Sequence, residues 1–515
     1  MKDVVSVQNM RKSDAACIAS GVPGEELMRR AGEGIFRAVG EAGWKAPVAI
    51  VCGKGNNAGD GYVVALLLRE AGIPCDLLLQ ERTFSADGGI WFRRCEAAGI
   101  PVRLWEETED LSPWGTVLDC VFGTGFHGPV TGPAARMIRL INRSGAFVIS
   151  ADINSGLNGD SGLAELAVQS DLTVSVGSWK TGHFLNMAKD LMRAKVNCDI
   201  GIPPVDRVYH LAEAEDIRPL FQPRKNQSNK GTWGYLALVG GSLPYSGAIR
   251  LAEMASAAMR SGAGVVRIGC PRSLCPLLVP SILESTLFPL SDNGESVLFR
   301  PEEFRDLIRG IRVLAFGMGV THTEETRKAL AWLLENHAGI LILDADGLNA
   351  LAALGPERLR TAAGPVILTP HPGEFARLTG RSIPEVLASS IPLAEEFAAA
   401  HGVILLLKGT STVITDGQDT RIVDRGCAGM GTAGSGDVLS GILAALCAAR
   451  PEDLLNAVTA AAWVNGRAGE IAQARMGDLS MIASDTVQAL PEVIREIRSV
   501  PAPPDSDPSR KSPYE

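Results

Sequence analysis

Nowhere does the chain carry a CxxC pair or a Cys/His cluster at zinc-finger spacing, although it holds ten cysteines. The scattered thiols read as reduced residues of a cytosolic protein rather than as a zinc site or a disulfide framework. Cys270 and Cys275 come closest together, and they read as small residues near a strand end. No stretch approaches the roughly 18 apolar residues of a membrane span, and "MKDVVSVQNMRKSDAACIASG" lacks the apolar core of a secretory signal. A cytoplasmic protein with no membrane partner is expected. A basic excess is also missing: Lys and Arg number 49 against 58 Asp and Glu, a net charge of -9. That disfavours nucleic acid as a main partner. Finally, no GxxxxGK[ST] occurs, so any phosphate must be held without a P-loop.

What is present is an ordinary globular composition, 46% apolar and 21% charged over 515 residues, enough for two cores. From Pro47 to Ile202 the apolar runs "PVAIV", "CDLLL", "TVLDCVF", "AFVISADI" and "DLTVSV" alternate with helical patterns. A parallel sheet covered by helices follows from that alternation. The helical spacing of "EELMRRAGEGIFRAV" places another helix beside it. After a polar, Pro-containing stretch a second series begins, "YLALVGGS", "GVVRIGCP", "RVLAFGMG", "GILILDAD", "GPVILTPHP" and "VILLLKG", giving a second α/β sandwich. The boundary is expected near Phe221, with domains over 1–215 and 222–498 and a disordered tail over 499–515.

In the first series, "VAIVCGKGNNAGDG" satisfies the loose GxGxxG/A fingerprint of a dinucleotide loop through Gly53, Gly55 and Ala58. The ribose-binding acid such a loop wants has only Glu81 as a loose candidate, and Asp76 is badly placed. Asn56, Asn57 and Asp60 crowd a turn that pyrophosphate-binding loops leave bare. Asp60 either caps the helix or faces a ligand. Asp119 in "VLDCVFGTGFHGP" and Asp152 and Ser155 in "SADINSGL" end other strands. With Asn57 they could line an oxygen-rich pocket suited to an alkali cation, potassium above all, although Asp119 could equally accept loop amides.

Together "VQNMRKSD", "LMRRAG", "GKGNNAGDGYVVA", "LDCVFGTGFHGP" and "ADINSGL" resemble the YjeF N-terminal family, the NAD(P)H-hydrate epimerases, across about residues 1–210. The resemblance implies a Rossmann-like domain in which Asn56, Asn57, Ala58, Gly59 and Asp60 hold the hydrated nucleotide. A second loop would join them: Gly123, Thr124, Gly125, Phe126, His127, Gly128 and Pro129. It implies Asp152 as acid/base group, and Asn57, Asp119 and Ser155 as potassium ligands. Ala58, Asn154 and His127 depart from the family's usual Gly, Pro and Lys or Arg.

In the second series, Gly434 and Gly436 precede a helix whose first turn carries Asp437. Free helix amides facing a glycine-opened loop suit a phosphoryl group in transfer, and Asp437 could take a proton from an attacking hydroxyl, or simply cap the helix. Lys408 ends an apolar strand ahead of Thr410, Ser411 and Thr412, either as a phosphate-facing cation or as a surface lysine opening a hairpin. His371 is fixed between prolines at a strand end, with Glu374 beginning the next helix.

The segments "NKGTWGYLALVGGS", "GAIRLAEMASAAMRSGAGVV", "FGMG", "LDADGLNAL", "LTPHPGEFARL", "KGTSTVITDG" and "GMGTAGSGDVLSGI" resemble the ribokinase-like superfamily and, within it, the NAD(P)HX dehydratases, over about residues 224–490. The resemblance implies that Ala248, Gly319, His371 and Asp437 meet the hydrated dinucleotide. Lys408, Gly409, Thr410, Ser411, Thr412 and Gly436 would meet the adenine nucleotide, ADP with Mg2+. Asn229, Ala428, Gly431 and Ala433 depart from the family's pattern. The joint expectation is a two-sandwich α/β enzyme, a homo-oligomer, that epimerises NADHX and NADPHX and dehydrates the S form. A small-alcohol kinase with a non-catalytic N-terminal module is the alternative.

Overall fold

In a computed structural model the chain is described over residues 1–499, apart from 106–107, 109 and 255–259, and the expected tail lies outside the described residues from 500 onward. The chain forms two compact units, Asp3–Tyr209 and His210 onward with Met1–Lys2. The division thus falls ahead of the expected Phe221. The reason is burial: Ala212, Ile217 and Phe221 join the core of the second unit, and His210 and Leu211 pair with Arg421 and Ile422.

In the first unit a seven-stranded sheet runs, in order, Val102–Leu104, Cys75–Leu79, Val48–Cys52, Thr116–Cys120, Phe147–Ala151, Leu172–Val176 and Lys195–Cys198. Every neighbouring pair is parallel. Side-chain alternation builds the layers. Val48, Ile50 and Cys52 face one core, with Tyr62 and Leu68 of helix Asn56–Glu70, whereas Ala49 and Val51 face another, with Met137 and Ile138 of helix Gly132–Arg143. Both faces are therefore covered, as a parallel sheet requires. The chain order reverses between Val48–Cys52 and Thr116–Cys120, so the crevice beyond their carboxyl ends is where a ligand should sit.

The second unit carries the parallel strands Thr286–Leu290, Val265–Pro271, Tyr235–Val239, Val313–Phe316, Ile340–Leu343, Val366–Leu368 and Ile404–Leu407, in that spatial order. Thr412–Thr415 and Thr420–Val423 extend the sheet as a hairpin, each antiparallel to the strand before it, so that Thr420–Val423 again runs with the parallel strands. Val313, Ala315, Ile340 and Ile342 pack against the helices Ser435–Ala449 and Leu454–Met476, while the alternate residues Leu314, Phe316, Leu341 and Leu343 are buried on the opposite face.

Candidate active sites

The first unit carries an open cavity of about 820 Å³ at the reversal point of its sheet. Asn56, Asn57, Asp60, Gly123, Thr124, Gly125, Phe126, His127, Pro129 and Asp152 line it. Gly128 instead faces a neighbouring recess of about 360 Å³. Ala58 is buried, and Gly59 serves close packing: a Cβ there would lie 2.3 Å from Met28 Sδ. The helix Asn56–Glu70 begins after Gly55 with no side-chain cap, so Asp60, a turn further in, is free of that duty. Burial first, then Asp152 and Asp14, push its carboxyl far above the usual range. Glu81 pairs with Lys54 at 2.9 Å.

Asp152 follows the strand Phe147–Ala151 with φ +63°, a left-handed backbone that few non-glycine residues adopt. Its Oδ1 accepts from Lys180 Nζ at 2.5 Å, its Oδ2 from the Thr124 amide at 3.1 Å, and its carbonyl from His183 Nε2 at 2.7 Å. Lys180 Nζ also donates to Ser175 Oγ and the Val176 carbonyl. The Lys180 amide donates to His183 Nδ1, which fixes the neutral tautomer with its proton on Nε2. Burial raises the Asp152 carboxyl, but Lys180 outweighs it and holds the group ionised below its ordinary range.

Asp119 and Ser155 do not line the cavity; both are fully buried and accept from the amides of Val121 and Phe122, which do line it. Asp119 accepts from the amides of Val121 and Ser155 and from the hydroxyls of Ser155 and Ser150. The loop-amide role left open by the sequence is therefore present. Burial raises its carboxyl, and these donors restrain the rise. Asn57 is the reverse case: Oδ1 and Nδ2 are both buried without a hydrogen-bond partner among the described residues. A Cβ at Gly123 would lie 3.2 Å from Asp152 Oδ2 and 3.4 Å from Asn57 Cβ, so the acid, the amide and the loop converge.

In the second unit, Gly434 opens the helix Ser435–Ala449 with φ +93° and no side-chain cap, so Asp437 does not cap it. Burial, Asp344 and Asp346 push the Asp437 carboxyl up to about 7, against the pull of Lys408. Gly436 lies beside this pair; a Cβ there would be 3.5 Å from Lys408 Nζ and 3.7 Å from Asp344 Oδ2. Lys408 does open a hairpin, yet its side chain is only 23% exposed and donates to Asp344 Oδ1 at 2.9 Å. Asp344, at the end of Ile340–Leu343, also accepts from Thr369 and Ser440 hydroxyls.

His371 caps the helix Pro372–Thr379, its Nδ1 accepting from the amides of Gly373 and Glu374. Its Nε2 edge lies 3.5 Å from Glu374 Oε1, and Lys408 sits 3.9 Å from that carboxylate's other oxygen. Gly319 (φ +69°) meets Ala248: a Cβ on the glycine would be 3.1 Å from the alanine's. Gly409 and Thr410 are exposed, Thr412 starts a strand, and Ser411 is buried with its hydroxyl on Asp424.

Lys180 and Asp344 were not singled out by the sequence. A lone lysine in "GSWKTGHF" looks like any surface cation, and Asp344 sits within "LDADGLNAL" without a partner in sequence.

A family model described as NAD(P)H-hydrate dehydratase matches residues 236–492, and one described as YjeF-related protein N-terminus matches residues 24–182. The bifunctional NAD(P)H-hydrate repair enzyme Nnr of Pyrobaculum aerophilum is 34% identical over 96% of this chain and 98% of its own. The chain belongs to the bifunctional NAD(P)H-hydrate repair enzymes. The Escherichia coli member of the repair-enzyme family is 32% identical over 91% of this chain and 89% of its own. Among solved structures, an ADP/ATP-dependent NAD(P)H-hydrate dehydratase from Bacillus subtilis, co-crystallised with ATP/Mg2+, covers 56% of this chain and 99% of its own at 29% identity, with a TM-score of 0.48. Asn154, where the resemblance leads to the expectation of proline, has a local role. Asn154 is fully buried, donates to Val168 O, Ser170 Oγ and Leu191 O, and accepts from Thr173 Oγ1, bonds that a proline could not make.

Proposed function

We propose that the protein returns hydrated NADH and NADPH to the intact cofactors. The first unit interconverts the R and S hydrates at C6, and the second dehydrates the S hydrate with ADP, releasing AMP and phosphate. The observation that carries this reading is the likeness to the repair enzymes through both units, over 96% of the chain. The cytoplasm is where such cofactors work, and among the described residues no helix is long and apolar enough to cross a membrane.

In the second unit Asp437 takes the proton of the C6 hydroxyl, whose oxygen attacks the terminal phosphorus of ADP as AMP departs. The phosphate ester then leaves C6 while C5 gives up a proton, and the C5–H bonding pair becomes the C5=C6 double bond. The free amides at the start of helix Ser435–Ala449 and the Lys408 ammonium face the phosphates. Asp344 keeps that ammonium in place. Mg2+ bound with the nucleotide would supply further positive charge at the phosphates. A carboxyl near pH 7 is well matched to accepting a proton under physiological conditions.

In the first unit Asp152 is the base, held ionised by Lys180. Asn57, Asp119 and Ser155 would hold potassium. The fit rests on the unpartnered Asn57 amide and on a buried Asp119 with no basic side chain against it among the described residues. Neutral and singly charged oxygen donors suit an alkali cation, which would add a fixed positive charge near the reacting ring.

Incubation with separated R and S hydrates in ADP or ATP tests the whole reading. The S form with ADP should regain dihydronicotinamide absorbance with matching AMP release, and the R form should follow after a lag. Failure of the S form to recover with either nucleotide overturns it.

A further inference from the structure

When the ring is held in one orientation, inversion at C6 by loss and return of a hydroxyl calls for a proton donor on one face and a proton acceptor on the other. The departing and entering oxygens lie on opposite faces of the held ring. Each must exchange a proton, so a second proton-handling group has to face the same cavity from another wall. Asp152 occupies one wall, at the end of strand Phe147–Ala151. Asp14 lines the same cavity from the helix Val7–Ala19. Asp14 is only partly exposed, and its carboxyl has no hydrogen bond or ion pair among the described residues. No structural duty therefore accounts for it.

The surroundings suit a proton donor. Burial pushes the Asp14 carboxyl up to about 6, Lys180 pulls it down and Asp152 pushes it up again. Asp60, near the start of helix Asn56–Glu70, lines the cavity with Asp14 and Asp152 and feels their charges and that of Lys180. The other charged or titratable groups on the cavity wall are Arg11, Lys54, Asp87 and His127.

We propose that Asp14 is the second catalytic carboxyl of epimerisation, protonating the departing C6 hydroxyl while Asp152 takes a proton from the water that enters on the other face. The step balances. The N1 lone pair forms the N1=C6 bond as the C6–O pair leaves with oxygen, and Asp14 supplies the proton that makes it water. A second water then adds to C6, the N1=C6 π pair returns to N1, and Asp152 receives the surplus proton. One turnover leaves Asp14 ionised and Asp152 protonated, the state needed for the reverse inversion, and solvent exchange resets it.

This inference rests on the epimerase reading above, and the test separates the two. R-to-S conversion is followed in the full chain and in Asp14→Asn, Asp14→Glu and Asp60→Asn across pH. The parent rate should fall as pH rises through the titration of a required acid. Asp14→Asn should lose about 100-fold in kcat with little change in KM, and lose that alkaline fall. Asp14→Glu should restore part of the rate and keep the fall at a shifted pH. A kcat for Asp14→Asn within about twofold of the parent, or an alkaline fall that vanishes in Asp60→Asn but persists unshifted in Asp14→Glu, overturns the assignment. A parent chain that never converts R to S overturns the epimerase reading, and the assignment with it.

Discussion

At the scale of single residues, each unit sets one lysine against one buried carboxylate. Lys180 has no exposed surface, and its charge is tolerated because Asp152 lies 2.5 Å away and two further oxygens take its remaining protons. Removing the cation alone leaves the carboxylate stranded. Lys180→Met should therefore cost about 3–5 kcal/mol in urea unfolding of the first unit. Asp152, losing the partner that keeps it ionised, should lose epimerase activity in the same variant. Asp437 is the opposite case, a carboxyl raised to about 7. As a base it must be ionised, so kcat/KM for S-hydrate dehydration should climb as pH rises through about 7 and then level off. The same shift acts on stability: the native state holds this proton more tightly than the unfolded chain, so the contribution is full below the ordinary carboxylate range and fades as pH rises through about 7. Asp437→Asn should abolish dehydration yet show greater resistance to urea than the parent above neutrality. Equal or lower resistance there would count against the burial account.

At the scale of elements, the sites exist because loops leave parallel strands at their carboxyl ends and enter helices with open amino termini. The helix Ser435–Ala449 can open as it does because Gly434 adopts φ +93° and a Cβ would sit 2.3 Å from Leu251 Cδ1 in the helix Ser246–Glu253. Gly434→Ala should destabilise the second unit by about 1–2 kcal/mol from the backbone alone, and more from the contact. Dehydration should fall, and R-to-S conversion measured on the same preparation should stay at the parent rate. Much at this scale was legible in the chain. Val48–Cys52, Cys75–Leu79 and Ile340–Leu343 stand out as short apolar runs because both faces of a parallel sheet are covered. The pairing of His210 and Leu211 with the strand Thr420–Val423 was not legible: so short a run carries no period, and it moved the boundary away from Phe221.

At the scale of the whole molecule, two activities on one chain imply a shared intermediate, the S hydrate. Mixing an Asp152→Asn chain with an Asp437→Asn chain should restore repair of the R hydrate, since each supplies what the other lacks. The check is recovery of absorbance by the mixture when neither chain recovers it alone, and its absence would mean that the hydrate does not pass through solution. By itself the sequence determined the two sandwiches, the glycine loops, the strand-end carboxylates Asp119 and Asp152 and the helix-start carboxyl Asp437, because apolar period and glycine placement are local properties. Only the tertiary structure decided which of these groups carry charge. Lys180 reaches Asp152 from 28 residues away and Lys408 reaches Asp344 from 64, and burial together with the partner across the fold sets each carboxyl's ionisation.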